Sequence, residues 1–145
     1  MNPTYADNAP ETVLFPEMEF HYAGFWDRFG AAFLDGLILM IPNLILQYIL
    51  GRYEAFPVNL VIGWLYFAVQ ESGPSQATFG KKALGLKVTT LTGDRISFGQ
   101  ATGRHFGKWI STIILLFGYI MMVWDERKQT LHDKMAGTLV LKLPQ

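Results

Sequence analysis

Apolar residues gather in three long runs along the chain, at residues 28–50, 56–71 and 105–124, with polar sequence between them. A transmembrane helix needs about 20 mainly apolar residues. The first run reaches that length, and the other two are short for a span but within the range that local thinning of a bilayer accommodates. The pattern therefore predicts an all-α membrane protein built from these three segments.

The polar sequence between the runs predicts how the first two are arranged. Residues 51–57 are too few to form a domain, so the first two runs are expected to form an antiparallel transmembrane helix hairpin. Residues 72–104 form a longer loop that is rich in glycine and in basic residues. By the positive-inside rule this loop is cytoplasmic, and the amino terminus is then cytoplasmic as well.

The third run carries basic residues on both flanks, with Arg104 and Lys108 at its start and Arg127 after its end. The positive-inside rule then places both of its ends in the cytoplasm, which a single crossing does not satisfy. A re-entrant helical hairpin broken near Phe117 and Gly118 does satisfy it. The sequence slightly favours the re-entrant hairpin over a third crossing helix and leaves both open.

Short alternating segments in the polar sequence predict a small cytoplasmic β-sheet. Residues 86–91 alternate as a strand does, residues 92–95 form a turn, and residues 96–98 return as the second strand of a hairpin. Residues 136–143 also have the pattern of a strand. This last strand joins the sheet only if the chain ends on the same side of the membrane.

The amino-terminal sequence differs from the rest of the chain. Residues 1–20 are acidic, contain proline, and lack the basic start and apolar core of a cleavable signal peptide. We predict a disordered cytoplasmic tail there and one membrane domain over residues 21–143. The net charge of zero argues against a nucleic-acid partner. The absence of cysteine excludes disulfides, zinc–thiolate sites and thiol chemistry.

Two charges stand out at the first apolar run, Arg28 at its edge and Asp35 inside it. They are almost two helical turns apart, so they share a face but are too distant to touch. A charge at the centre of a membrane helix costs about 2.5–3.5 kcal/mol, so each is expected to meet a partner from another segment. Asp125 and Asp133, which follow the third run, are the candidate partners of Arg28.

Residues 73–82, GPSQATFGKK, are similar to a phosphate-binding loop only in outline. The spacing is too long, and Lys82 stands where a hydroxyl residue would bind magnesium. We predict instead that Lys81 and Lys82 contact anionic lipid headgroups. The three histidines lack metal-ligand spacing, and Ser97 and Ser111 have no neighbouring base in the sequence. We therefore predict no metal, no cofactor and no enzymatic activity.

The chain also carries several separated motifs whose order is informative. They are FWDR at 25–28, DG at 35–36, TFGKK at 78–82, GLKV at 85–88, SF at 97–98, Arg104, WD at 124–125, QTLHDK at 129–134 and AGT at 136–138. Together they resemble the RDD family of small membrane proteins, which is named for one Arg and two Asp. The resemblance implies that Arg28 and Asp35 are the Arg and the first Asp, and that Asp133 is the second, with Asp125 as the alternative.

The resemblance implies a multi-pass protein of the bacterial inner membrane, but the family has no settled general activity. Two hypotheses stay open. In the first, the protein is an ion- or proton-coupled transporter in which Asp35 titrates and Arg28 balances its charge. Three short segments do not enclose a pathway alone, so this predicts a homo-oligomer.

In the second hypothesis, the protein is a membrane scaffold or adaptor. Its polar residues lock the helices within the lipid bilayer, and its cytoplasmic face docks a partner such as another membrane protein. The sequence slightly favours transport, because an ionisable group in lipid is a candidate functional group by default.

Overall fold

The computed structural model describes residues 21–114 and 117–144. The predicted disordered tail, residues 1–20, lies outside them. The described elements are α1 (Phe25–Leu50), α2 (Arg52–Ser72), α3 (Phe79–Ala83), β1 (Leu86–Thr90), α4 (Phe98–Ile113), α5 (Phe117–Ile120), a 3₁₀ turn (Met121–Val123), α6 (Leu131–Ala136) and β2 (Thr138–Lys142). The described part of the chain is thus mostly helical with one small sheet.

Helices α1 and α2 pack against each other and are linked by a single residue, Gly51. Its φ of +86° lies in the left-handed region, where glycine is favoured. The predicted link of residues 51–57 is therefore too long, because helix α2 already begins at Arg52. Charged and polar side chains such as those of Arg52 and Glu54 are compatible with a helix, so the end of an apolar run did not mark the helix end.

Among the described helices, α1 alone is long and apolar enough to cross a membrane. Its most apolar window has a mean hydropathy of 1.9, and only 11% of that window is buried. A helix in the core of a soluble protein is mostly buried, so this exposure fits a lipid-facing segment. The pairing of α1 and α2 as a transmembrane hairpin stays a prediction.

Helix α4 is amphipathic, but it exposes its apolar face and buries its polar face, which is the reverse of a helix in a soluble protein. Phe106, Trp109 and Ile113 are exposed, whereas Arg104 and Ser111 are buried. This arrangement suits an apolar exterior and a polar interior.

The start of α4 also corrects one prediction. The helix begins at Phe98, because Ser97 and Gln100 form a capping box that starts it. The return strand predicted at residues 96–98 is therefore wrong.

The third apolar run is not one straight helix in the described part of the chain. The axis of α4 and the axis of residues 117–123 differ by 116°. This change of direction falls near the break that the sequence predicts. Whether the segment re-enters or crosses stays a prediction.

Strand β1 pairs with the carboxy-terminal strand β2 in antiparallel register, with Val88 opposite Val140. The segment predicted as the turn contributes one bridge to β1, between Thr89 and Arg95. Strand β2 pairs with β1 in place of the predicted return strand because β2 has a continuous run of buried residues. The chain after Arg95, by contrast, soon enters α4. The prediction that the last segment joins the sheet is confirmed. On its other edge β2 bridges to Tyr22 through Leu141.

The interior of the described residues is unusual in composition. Buried polar and charged side chains outnumber buried apolar ones, and most of the large apolar side chains are exposed. A compact apolar cluster nevertheless lies where the sheet meets the helices, and it includes Ala23, Ala31, Leu86 and Val140. An exposed apolar surface of this extent is expected of a protein surrounded by lipid.

Candidate functional site

Asp133 lies at the centre of a buried network of charges. It is held in place by a capping box at the start of α6, where its Oδ2 accepts hydrogen bonds from the Thr130 backbone N–H at 3.1 Å and the Thr130 hydroxyl at 2.9 Å. The same carboxylate pairs with Arg28 from α1 and with Arg104 from α4. One buried side chain therefore joins three helices. Arg28 also donates to the Lys128 carbonyl at 2.5 Å.

Arg104 extends the network from Asp133 to α2. Its Nε donates to Oε2 of Glu71 at 3.1 Å, and its Nη1 also donates to the Thr138 hydroxyl at 2.6 Å. The other oxygen of Glu71 pairs with the ammonium group of Lys81 in α3.

We call Arg28, Asp133, Arg104, Glu71 and Lys81 the ion-pair chain. Charge alternates in sign along it, and its hydrogen bonds offset the cost of burying these groups.

Burial shapes the protonation of the α6 residues. Burial alone would raise the pKa of Asp133, but the guanidinium groups of Arg104 and Arg28 outweigh it and hold the pKa well below its usual value. The neighbouring His132 is buried, and its ring nitrogens face the Thr130 hydroxyl at 3.0 Å and the Ser111 hydroxyl at 3.4 Å. Burial lowers the pKa of His132 to about 3. At neutral pH Asp133 is charged and His132 is neutral.

Asp35 occupies a separate polar site. Its Oδ1 accepts hydrogen bonds from the Tyr66 hydroxyl at 2.7 Å and the Gly80 backbone N–H at 2.8 Å, and its Oδ2 accepts one from the Thr78 hydroxyl at 2.6 Å. The spacing correctly predicted that Arg28 and Asp35 would meet different partners. Asp35 thus fixes α3 against α1, although it carries no ion pair among the described residues.

The approach of α3 to α1 is too close for a side chain at Gly80. A Cβ atom there would lie 2.2 Å from the Ala31 carbonyl oxygen and 2.9 Å from the Asp35 carboxyl group. This contact explains why the motif TFGKK has glycine at its third position.

Two other predicted site residues lie elsewhere. Asp125 does not reach Arg28: it pairs with Lys134 and accepts from the Gln129 backbone N–H at 2.9 Å. The fold brings the more distant acid, Asp133, to Arg28 instead, because the capping box of α6 turns it inward.

The predicted headgroup contact is wrong for Lys81, which points inward to the buried Glu71. Lys82 is exposed, and its contact with lipid stays a prediction.

Lys108 lies beside the ion-pair chain but is not part of it. Its ammonium group has fewer close contacts with carboxylates than the cations of the chain have. Its Nζ is 3.9 Å from Oε1 of Glu71, which is beyond hydrogen-bond distance, and 4.2 Å from the centre of the Phe67 ring. Lys81 and Arg104 already take the two oxygens of Glu71. Among the described residues, Lys108 therefore has an ion pair and a ring contact but no direct acceptor.

A cavity of about 220 Å³ adjoins both polar sites. Its polar wall includes Arg28, Asp35, Lys81, Arg104, Lys108 and His132. Its apolar wall includes Phe25, Phe29, Phe67, Tyr119 and Met122. The cavity is thus lined by both charged and aromatic side chains.

The sequence predictions missed Glu71, Arg104 and Lys108 as parts of the site. Glu71 was assigned to the end of an apolar run and the two basic residues to the flanks of another. A signal was present, because Arg104, Lys108 and Ser111 recur at helical spacing within an otherwise apolar segment. That pattern indicates a polar stripe facing inward.

Comparison with known proteins gives a consistent result. The model of the RDD family matches residues 22–137. The uncharacterized protein YxaI of Bacillus subtilis (strain 168) is 35% identical, over 82% of this chain and 96% of YxaI. The uncharacterized membrane protein YteJ of the same organism is 33% identical, over 83% of this chain and 80% of YteJ.

A proline-rich antigen homolog of Mycobacterium tuberculosis is 34% identical over 58% of this chain, which corresponds to 37% of that protein. No solved structure matches the chain.

Proposed function

Since this chain belongs to the RDD family, we propose that it is an integral membrane scaffold whose buried charges lock its helices and whose sheet side docks a partner. The similarity to the membrane protein YteJ supports the membrane location. The observation that carries the scaffold proposal is the use of both buried acids to join segments of the chain. Asp35 accepts three hydrogen bonds and Asp133 pairs with two arginines, so a structural role accounts for both carboxylates.

Ion- or proton-coupled transport is the second candidate, and the cavity favours it. Asp35 and the cations Arg28 and Lys81 line the same space of about 220 Å³. A carboxylate beside a cavity is the usual place for a coupling ion. The surplus of basic groups disfavours a bound cation there, so we rank transport below the scaffold.

A flux measurement separates the two candidates. The purified full chain is reconstituted into vesicles, and proton, sodium and potassium fluxes are followed under imposed gradients. The scaffold proposal expects the wild type and Asp35→Asn to match protein-free vesicles. Flux that Asp35→Asn abolishes, and that the exposed control Asp94→Asn retains, would overturn the scaffold in favour of transport.

A second experiment tests the docking side. Leu91 is 47% exposed at the end of the sheet, in a loop of polar residues, whereas Tyr53 is 92% exposed at the α1–α2 turn. A photoreactive amino acid at each position is activated in cells. The proposal expects a discrete crosslinked product from position 91 and none from position 53. The reverse result would place the partner on the opposite side.

Membrane orientation is tested by labelling, since the chain has no cysteine of its own. We expect Tyr53→Cys to react with an impermeant maleimide in intact cells, and Lys82→Cys to react only after permeabilisation. Labelling of both in intact cells would contradict the proposed hairpin, whose α1–α2 turn lies on the opposite side of the membrane from the loop that carries Lys82.

A further inference from the structure

The charges around the cavity do not balance. Four cationic groups adjoin or line it, and three carboxylates lie beside them, which leaves one positive charge in excess. The groups are Arg28, Lys81, Arg104, Lys108, Asp35, Glu71 and Asp133. An uncompensated charge in a low-dielectric interior is unfavourable, so this site favours the arrival of an anion.

Lys108 is the group through which an anion would gain most. The other cations already donate to carboxylates, but the Lys108 ammonium group has only a 3.9 Å ion pair and the face of Phe67. It lies at the cavity wall. A phosphate oxygen in the cavity can therefore accept a charge-assisted hydrogen bond from Lys108 without breaking an existing one.

The apolar wall indicates what the anion is attached to. Phe25 and Phe29 line the cavity and are also 38% and 55% exposed, so the aromatic rim reaches the outer surface of α1. On a lipid-facing helix, exposed apolar rings of this kind contact lipid. A volume of about 220 Å³ is below the usual size of a pocket that encloses a whole organic ligand. It suits a polar headgroup whose chains stay in the bilayer.

We propose that this cavity binds the phosphate headgroup of an anionic phospholipid, with Lys108 as the main contact to the phosphate. The acyl chains then lie against Phe25 and Phe29 outside the cavity. This proposal does not depend on the docking of a partner.

The test is titration calorimetry on the purified full chain in a neutral detergent. The probes are short-chain phosphatidylglycerol, the phosphatidylcholine analogue with the same chains, and inorganic phosphate. We expect phosphatidylglycerol to saturate one site per chain, with at least tenfold weaker binding of the other two. Equal binding of the two lipids would overturn the proposal, and phosphate binding as tightly as phosphatidylglycerol would overturn a lipid as the source of the anion.

Variants locate the site. Lys108→Met removes the charge but keeps the length that packs on Phe67, and it is expected to weaken phosphatidylglycerol binding at least tenfold. Arg127→Met removes an exposed basic side chain and is expected to change phosphatidylglycerol binding less than twofold. Equal effects of the two would overturn the assignment to the cavity.

Ala32→Leu tests the same cavity by a second route, which applies if the Lys108→Met protein does not fold. Ala32 lies at the cavity wall on the exposed side of α1, so a larger side chain narrows the cavity without entering the core. We expect the same loss of at least tenfold, and unchanged binding in a folded Ala32→Leu protein would contradict the proposed site.

Discussion

The two ends of this molecule are stabilised by different interactions. At the sheet end, Asp133, Arg104 and Glu71 are fully or almost fully buried and join α1, α2, α4 and α6. At the other end, which we call the distal hairpin (residues 36–62), Ala55 is the only buried residue, and the whole of this range is described by the structure. One polar cluster joins its helices, where Asn43 accepts a hydrogen bond from Asn59 at 2.9 Å.

The difference indicates that the two ends depend on their surroundings to different degrees. The distal hairpin needs an apolar environment, whereas the sheet end is held together by contacts within the chain. The distal hairpin exposes large apolar side chains such as Leu44, Ile45 and Ile49, and only an apolar surrounding or another protein chain satisfies them. The sheet end pairs most of its buried charges with one another. Ion pairs and hydrogen bonds between distant segments are therefore concentrated at the sheet end. We expect substitutions there to lower the free energy of unfolding most.

The largest effect is expected from Asp133→Asn, which leaves Arg28 and Arg104 without their shared carboxylate. Breaking a buried ion pair from one side costs about 3–5 kcal/mol. The partly exposed pair of Asp125 and Lys134 is the comparison, and Asp125→Asn should cost less than about 1 kcal/mol. Unfolding in mixed micelles, followed by helical circular dichroism, measures both. Equal losses would contradict the central role of Asp133.

Gly80→Ala is expected to come next, since its Cβ would lie 2.2 Å from a backbone oxygen of α1. Overpacking of this kind costs about 1–3 kcal/mol, and the short distance places the loss near the upper limit. Gly103→Ala is the control, because no atom lies within 4 Å of its added Cβ and alanine favours a helix. The same unfolding assay should show a loss for the first variant and none for the second.

The pH dependence of stability provides a third test at His132. Its pKa is about 3 in the folded protein and about 6.5 when unfolded, so only the unfolded chain binds a proton between these values. The contribution of His132 to stability should therefore fall as the pH is lowered from 6.5, by at most about 1.4 kcal/mol per pH unit. Asp133 does not contribute to this slope, because its carboxylate stays ionised in both the folded and the unfolded chain until the pH falls to about 4.

His132→Asn should reduce that slope, whereas His21→Asn is the matched control outside the core. Unfolding free energies measured at intervals from pH 7 to pH 5 give the slopes. A slope that His132→Asn leaves unchanged would assign the acid sensitivity to another group.

The smallest effect is expected in the distal hairpin. Asn43→Ala removes the hydrogen bonds from Asn59 and Gln47, and interhelical hydrogen bonds in lipid average about 0.6 kcal/mol. The exposed Ile45→Ala is the control and should be close to neutral. A loss above about 3 kcal/mol for Asn43→Ala would remove the contrast between the two ends.

The sequence alone determined the local features of this protein. The apolar runs located α1 and α2 to within about four residues but only the second half of α4, because the length of an apolar run is a property of neighbouring residues. The same sequence limited the partners of Arg28 to two acids, and it identified the segment that became β2. These features need no knowledge of how distant segments meet.

The tertiary structure decided which distant groups share a site. It selected Asp133 over Asp125, turned Lys81 inward to Glu71, and paired β1 with β2. Each outcome depends on long-range packing and on the competition among several acceptable partners of similar charge. Local pattern carries no information about which of them the fold brings within hydrogen-bond distance.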